Sequence, residues 1–138
     1  MIFRTIRTIL KWIMIFIIRM RIFVDIDNTI CRADDDTDYS LAIPIRSRID
    51  MINRLYNHGH EIVYWTARGS GSGLLWFQTT LAQLTEWGCK FHELRMGKPV
   101  YDLFIDDKNI MSDTFFDSTG IECTCDNTKD LIIHLKED

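Results

Sequence analysis

Short apolar runs and amphipathic stretches alternate along most of this chain. Residues 22–24 form an apolar run that ends at an acid and predicts a buried strand, and residues 61–65 predict a second strand. Between them lies a helical pattern that closes near Gly59. Its apolar positions recur every three or four residues and are Ile45, Ile49, Ile52 and Leu55.

The second half of the chain continues this alternation. A Gly/Ser loop leads into a helical segment over 74–87, and Phe91 marks a short third strand. Residues 103–105 predict a fourth strand and residues 121–124 a fifth. The pattern over 131–135 fits a helix or a strand equally well.

This order of elements predicts an α/β fold. We expect a single Rossmann-like domain over residues 20–138, with a parallel central sheet and helices on both faces. A length of 138 residues is in the usual range for one domain.

Residues 1–19 differ in character from the rest of the chain, because they contain no acid and are mostly apolar. Arg4, Arg7 and Lys11 fall on one helical face. The longest apolar run is too short to span a membrane, and no small-residue cleavage site follows it. Three alternatives stay open: a basic amphipathic helix on a membrane surface, an extension upstream of a true start at Met20, or a loosely ordered appendage.

Charge and cysteine content narrow the function classes. The formal net charge of -4 argues against nonspecific binding to nucleic acid, which needs a basic surface. The four cysteines fit no zinc pattern, since only Cys123 and Cys125 are close in sequence. We therefore predict reduced thiols in a cytoplasmic protein, with peripheral membrane association through residues 1–19 as the alternative.

Two of the predicted strands end in pairs of acids. Asp25 and Asp27 follow the first strand, and Asp106 and Asp107 follow the fourth. Because ligands bind at the carboxyl ends of the strands in open α/β sheets, we expect these four carboxylates in one crevice. Crowded carboxylates call for a divalent cation, and hard oxygen ligands suit Mg²⁺. The crowded acids therefore predict a magnesium site at this edge of the sheet.

Thr66 and Lys98 are expected at the same edge of the sheet. A lysine and a metal beside a nucleophilic carboxylate make a site for phosphoryl transfer through an aspartyl-phosphate. A second acid two residues from the nucleophile can protonate the leaving group and then activate water. Arg68 is a candidate substrate ligand, or it pairs with an acid.

These stretches resemble the four motifs of the haloacid dehalogenase (HAD) superfamily, in the same order. Phe23–Thr29 resembles an apolar strand ending in Asp-x-Asp-x-Thr, and Tyr64–Thr66 resembles a strand ending in Thr or Ser. Lys98 fits the third motif and Phe104–Asp107 the fourth. The similarity is closer still to the small group of capsule biosynthesis phosphatases, through the sequence Thr-Ala-Arg-Gly that begins at Thr66 and Gly-Lys-Pro around Lys98.

The resemblance implies a role for each acid. Asp25 attacks phosphorus and binds Mg²⁺, while Asp27 is the general acid and base and lends its backbone carbonyl to the metal. Asp106 binds the metal, and Asp107 supports it. Thr29 braces the loop.

The resemblance also implies that Thr66 and Lys98 hold the phosphoryl oxygens. The intervals from Asp27 to Thr66 and from Thr66 to Lys98 leave no room for the cap domain that many relatives carry, so we expect a capless site covered by a flap at 31–42.

The sequence thus predicts Mg²⁺-dependent hydrolysis of a small phosphorylated metabolite, such as a sugar phosphate. One alternative is a phosphatase for nucleotides or nucleic-acid ends, against which the acidic net charge counts. Another is a non-catalytic phosphate-binding module, although receiver modules have a single acceptor Asp after a middle strand.

Overall fold

The computed structural model describes residues 2–17 and 19–117. Within them the strands are β1 (Arg21–Val24), β2 (Cys31–Arg32), β3 (Ile43–Pro44), β4 (Glu61–Trp65) and β5 (Glu93–Arg95). The α-helices are α1 (Ile2–Ile17), α2 (Arg46–Asn57), α3 (Phe77–Glu86) and α4 (Ser112–Asp117), and Tyr39–Leu41 form a 3₁₀ helix. The predicted strand over 121–124 and the segment 131–135 lie outside the described residues.

The central sheet is parallel and has three strands in the order β1-β4-β5. Val24, the last residue of β1, is level with Tyr64 of β4, which in turn is level with Leu94 of β5. Helices α2 and α3 make the two crossovers between these strands, as the alternating pattern predicts. The chain therefore has an α/β fold, and the carboxyl ends of all three strands meet at one edge.

The core forms where the apolar face of α2 meets the sheet. Ile49, Ile52 and Leu55 are buried because their spacing puts them on one side of that helix. They share one cluster with Ile62 and Tyr64 of β4, and it also includes Leu84 and Trp87 at the end of α3. Both crossover helices thus cover the same face of the sheet.

The opposite face of the sheet is more open. Phe23 of β1 is 44% exposed, and the guanidinium groups of Arg21 and Arg95 lie over its ring. Trp65 meets the edge of the same ring at 5.9 Å between centroids. The prediction of helices on both faces is therefore confirmed for one face within residues 2–17 and 19–117.

The predicted elements before and after β4 are largely confirmed. The helix predicted from Ile45 is α2, and Gly59 two residues after its end has φ of 94°, a conformation that glycine adopts without strain. Helix α3 begins at Phe77, three residues later than the pattern predicts, and β5 begins at Glu93 rather than around Phe91.

The predicted fourth strand is wrong in this structure. Residues 103–105 have no strand partner among residues 2–17 and 19–117, and Leu103 and Ile105 are 75% and 87% exposed. A run of three apolar residues becomes a strand only if a sheet edge takes it up, and in the described part of the chain β4 alone pairs with β1. Asp106 and Asp107 consequently lie on an exposed turn instead of at a strand end.

The predicted flap at 31–42 is a small ordered arm. Strands β2 and β3 close it through an antiparallel pair in which Cys31 is opposite Pro44. Asp38 caps the 3₁₀ helix by accepting a hydrogen bond from the backbone N–H of Ser40. The arm is thus tied to the body at its base and carries a short helical turn at its tip.

Residues 2–17 form one continuous helix in place of a loosely ordered appendage. The described side chains of α1, residues 2–10, are all exposed and none belongs to the core. None of the described helices combines the length and the apolar character that crossing a bilayer requires.

Candidate functional site

Asp25 directly follows β1 and is held from both sides. Its Oδ1 lies 3.1 Å from Nζ of Lys98, and its Oδ2 accepts a hydrogen bond of 3.0 Å from the hydroxyl of Thr29. The turn that brings Thr29 back passes through Asn28 in a left-handed conformation, with φ of 58°. Thr29 therefore braces Asp25, and one third of the Asp25 side chain, 33%, remains open to solvent.

Lys98 reaches Asp25 from a loop that follows β5. Gly97, with φ of 79°, turns this loop, and the backbone N–H of Lys98 donates to the carbonyl of Thr66 at 3.0 Å. Burial lowers the pKa of Lys98, but the Asp25 carboxylate and Tyr101 outweigh it and leave the pKa raised. Lys98 therefore keeps its proton at neutral pH and acts as a fixed positive charge.

Thr66 follows β4, the neighbour of β1, and is almost fully buried. Its backbone N–H donates to the carbonyl of Arg95 at 3.0 Å, and its hydroxyl oxygen accepts from the backbone N–H of Arg68 at 3.1 Å. A hydroxyl that accepts still has its own proton to donate. Backbone bonds thus bring Thr66 to the same edge as Lys98.

Asp27 is paired with Arg68 across 41 positions of sequence. Nη2 of Arg68 donates to Asp27 Oδ1 at 2.7 Å, and Nε donates to Oδ2 at 2.9 Å. This is a forked arrangement, which fixes the plane of a carboxylate as well as neutralising it. The Arg68 side chain is 0% exposed, whereas that of Asp27 is 20% exposed.

Arg68 is surrounded by residues that belong to none of the sequence motifs. Its Nη1 donates to the hydroxyl of Thr80 and to the amide oxygen of Gln83, both on α3. Its guanidinium carbon lies 4.9 Å from the centroid of the Tyr39 ring, at the tip of the flap. Gln83 also donates to the backbone carbonyl of Tyr39 at 2.7 Å, so one network joins the flap, α3 and Asp27.

The role of substrate ligand predicted for Arg68 is wrong in this structure. Every polar nitrogen of the guanidinium is engaged within the protein, and the side chain has no exposed surface. The alternative reading, in which Arg68 pairs with an acid, is the observed one. The α3 partners carried no sequence signal, because Thr80 and Gln83 look like ordinary polar helix positions.

The four predicted metal ligands are not brought together. Asp106 and Asp107 are exposed, and Asp107 pairs with Lys108 at 3.1 Å. No group of three His, Cys, Asp or Glu side chains among the described residues is placed to hold a metal ion. Asp25 and Asp27 are instead neutralised by Lys98 and Arg68. The described arrangement does not fit the predicted magnesium site, and we derive no step from a bound metal.

A buried thiol borders the site and yields a first prediction. Cys31 is fully buried beside Asp27, and burial together with that carboxylate raises the pKa of its thiol to about 12. Burial likewise raises the pKa of Cys89 to about 11. Since the thiolate is the reactive form, we expect iodoacetamide at about pH 8 to label neither residue in the folded protein. Peptide mass mapping before and after unfolding in urea measures this, and rapid labelling of Cys31 in the folded protein would show the prediction to be wrong.

Comparison with known proteins informs the fold. No protein-family model matches the chain, and no curated protein matches it either. The structure is similar to the crystal structure of a target protein from Vibrio cholerae, with a TM-score of 0.64 and 23% sequence identity. The similarity covers 86% of this chain and 99% of the other. At this level of identity it concerns the fold alone, and it agrees with a small single α/β domain.

Proposed function

We propose that this chain hydrolyses phosphate monoesters, with Asp25 as the nucleophile. The observation that carries the proposal is the ion pair between Asp25 and Lys98, which lie 73 positions apart and meet 3.1 Å from each other at the carboxyl edge of the sheet. A carboxylate that attacks phosphorus needs a nearby cation for the phosphoryl oxygens. The order of the motifs around these two residues supports a HAD-like version of the α/β fold.

The proposed reaction has two steps. In the first, an Asp25 oxygen forms a bond to phosphorus while the bond from phosphorus to the leaving alcohol breaks. Asp27 enters this step protonated, gives its proton to the alcohol and becomes the carboxylate that pairs with Arg68. In the second, Asp27 takes a proton from water as the water oxygen attacks phosphorus. The bond between Asp25 and phosphorus then breaks, which releases phosphate and restores both carboxyl groups.

The contacts of Asp27 are compatible with this proton-transfer role. Each carboxylate oxygen has two lone pairs, and the fork from Arg68 occupies only part of that capacity. Asp27 lies two positions after Asp25 in sequence, and both residues follow the same strand. Arg68 thereby orients Asp27 while leaving a site for the proton.

Lys98 provides a direct test of the phosphoryl site. We expect Lys98→Ala to lower turnover of an aryl phosphate by about 100-fold or more, because it removes the cation beside the developing charge. Lys98→Arg should retain part of the activity, since it keeps the charge with a different shape. The matched control is Lys90→Ala, at an exposed lysine beyond α3. Equal turnover in Lys98→Ala and Lys90→Ala would count against the proposed site.

We still predict that hydrolysis depends on Mg²⁺, because the charges at the site do not neutralise a bound phosphate. Lys98 already neutralises the charge of Asp25, and Arg68 already neutralises that of Asp27. A phosphate dianion therefore adds negative charge that a divalent cation would offset. We expect hydrolysis to stop in EDTA and to return with Mg²⁺. Undiminished hydrolysis after exhaustive EDTA treatment would contradict the magnesium requirement.

A small phosphorylated metabolite is the substrate class that we propose. Its support is the flap, which is seated on α3 beside Asp27. The rings of Tyr39 and Trp76 meet edge to face at 5.2 Å, and Arg68 stacks under Tyr39. Burial and the nearby Asp27 carboxylate raise the pKa of Tyr39, which keeps its hydroxyl neutral. We infer that the ring of Tyr39, held in place beside Asp27, limits the size of the substrate that can reach Asp27.

A further inference from the structure

Helix α1 separates apolar from basic positions around its circumference. At about 100° per residue, Arg4, Arg7 and Lys11 fall within a stripe about 60° wide. Most of the remaining circumference is apolar, over an arc of about 200°. Its described members are exposed: Ile2 (74%), Phe3 (86%), Ile6 (48%), Ile9 (51%) and Leu10 (52%).

Charge is distributed just as unevenly along the chain. Residues 1–20 carry four basic side chains and no acidic one, a formal charge of +4. The remaining residues carry the balance of -8, which gives -4 for the whole chain. Helix α1 carries only positive charges, and the rest of the chain has a net negative charge. Such a helix is complementary to an anionic surface outside the protein.

We propose that α1 docks the chain onto the surface of an anionic lipid bilayer. In this arrangement the helix lies in the plane of the interface, with Phe3, Ile6 and Leu10 among the acyl chains. Arg4 and Arg7 lie at the level of the lipid phosphates. A wide apolar face bordered by cations is the arrangement by which interfacial helices bind. The acidic body stays on the aqueous side, because an anionic surface repels it.

The width of the apolar arc favours a bilayer over a second copy of α1. A helix pair buries a narrow seam, and here Ile2, Ile6 and Ile9 have the spacing of such a seam. Phe3 and Leu10 would lie outside it and stay in water. The helix also spans only 16 residues, whereas stable coiled coils repeat the seam over three or four heptads. A lipid surface buries the whole arc.

Flotation of the full chain with lipid vesicles tests the proposal. We expect binding to vesicles of phosphatidylcholine and phosphatidylserine mixed at about two to one, and weaker binding to phosphatidylcholine alone. Arg4→Glu combined with Arg7→Glu should weaken binding to the anionic vesicles by about 30-fold or more, and added salt should weaken binding of the unaltered chain. Ile6→Asp should weaken binding to both kinds of vesicle, because it puts a charge into the apolar arc.

The matched control is Arg32→Glu combined with Lys90→Glu, which makes the same change in net charge at exposed positions of the body. It should bind anionic vesicles as the unaltered chain does. None of the α1 substitutions touches the core, so circular dichroism of the body should stay unchanged. Failure of the full chain to float with anionic vesicles would overturn the proposal. So would equal losses in the α1 and control variants, or self-association through α1 without vesicle binding.

Discussion

Asp25→Asn is expected to lower hydrolysis of an aryl phosphate by about 1000-fold or more, since it removes the carboxylate that we propose as the nucleophile. The substitution keeps the size of the side chain, and the amide oxygen can still accept from Thr29 or Lys98. Folding should therefore be little affected, and circular dichroism checks this. The loss should appear in turnover, because an amide does not displace the leaving alcohol from phosphorus.

The matched control is Asp34→Asn, at an exposed acid of the flap. It changes the net charge by the same amount and should leave turnover within about twofold of the unaltered chain. Comparable activity in Asp25→Asn and Asp34→Asn would remove Asp25 from the chemistry, whatever the folding of the two variants.

Arg68→Met is expected to lower the free energy of unfolding by about 3 kcal/mol or more. It leaves the Asp27 carboxylate without its cation in a largely enclosed place, and it leaves Thr80 and Gln83 without their donor. Urea unfolding measures the change. Arg54→Ala, at an exposed arginine on α2, is the control and should change the free energy by less than about 0.5 kcal/mol.

A double variant of Arg68 and Asp27 tests the cause of this loss of stability. If the cost comes from an unpaired buried charge, Asp27→Leu combined with Arg68→Met should recover much of the stability that Arg68→Met loses. Costs that simply add in the double variant would show that the two residues do not depend on each other.

The same network should also govern activity. Arg68→Lys keeps the positive charge but cannot donate the fork that fixes the plane of Asp27. We expect it to lower kcat with little change in KM, because Arg68 has no surface from which to contact substrate. An effect on KM alone would contradict this positioning role.

The main elements of the fold could be predicted because local patterns decide them. Alternating apolar runs give β1 and β4, and the helical period of Ile49, Ile52 and Leu55 gives α2. The site residues Asp25, Thr66 and Lys98 could be placed at one edge because the carboxyl ends of parallel strands meet there.

The rest depends on contacts between distant parts of the chain. Residues 103–105 have the composition of a strand, but composition does not show whether a sheet edge is available to them. Arg68 could not be assigned, because its burial results from Thr80 and Gln83 on a helix that the sequence places only approximately. The sequence therefore placed Asp25 and Lys98 together correctly, but it showed neither the partners of Arg68 nor the exposed position of Asp106 and Asp107.

Trapping the covalent intermediate would show whether Asp25 is the residue that attacks phosphorus. The full chain is mixed with an aryl phosphate in the presence of Mg²⁺, quenched in acid during turnover, and treated with borohydride, which reduces an acyl phosphate to an alcohol. Peptide mass mapping then locates the reduced side chain. We expect homoserine in place of Asp25, and no such product without substrate or in Asp25→Asn. Reduction at a different acid, or undiminished hydrolysis in Asp25→Asn, would contradict it.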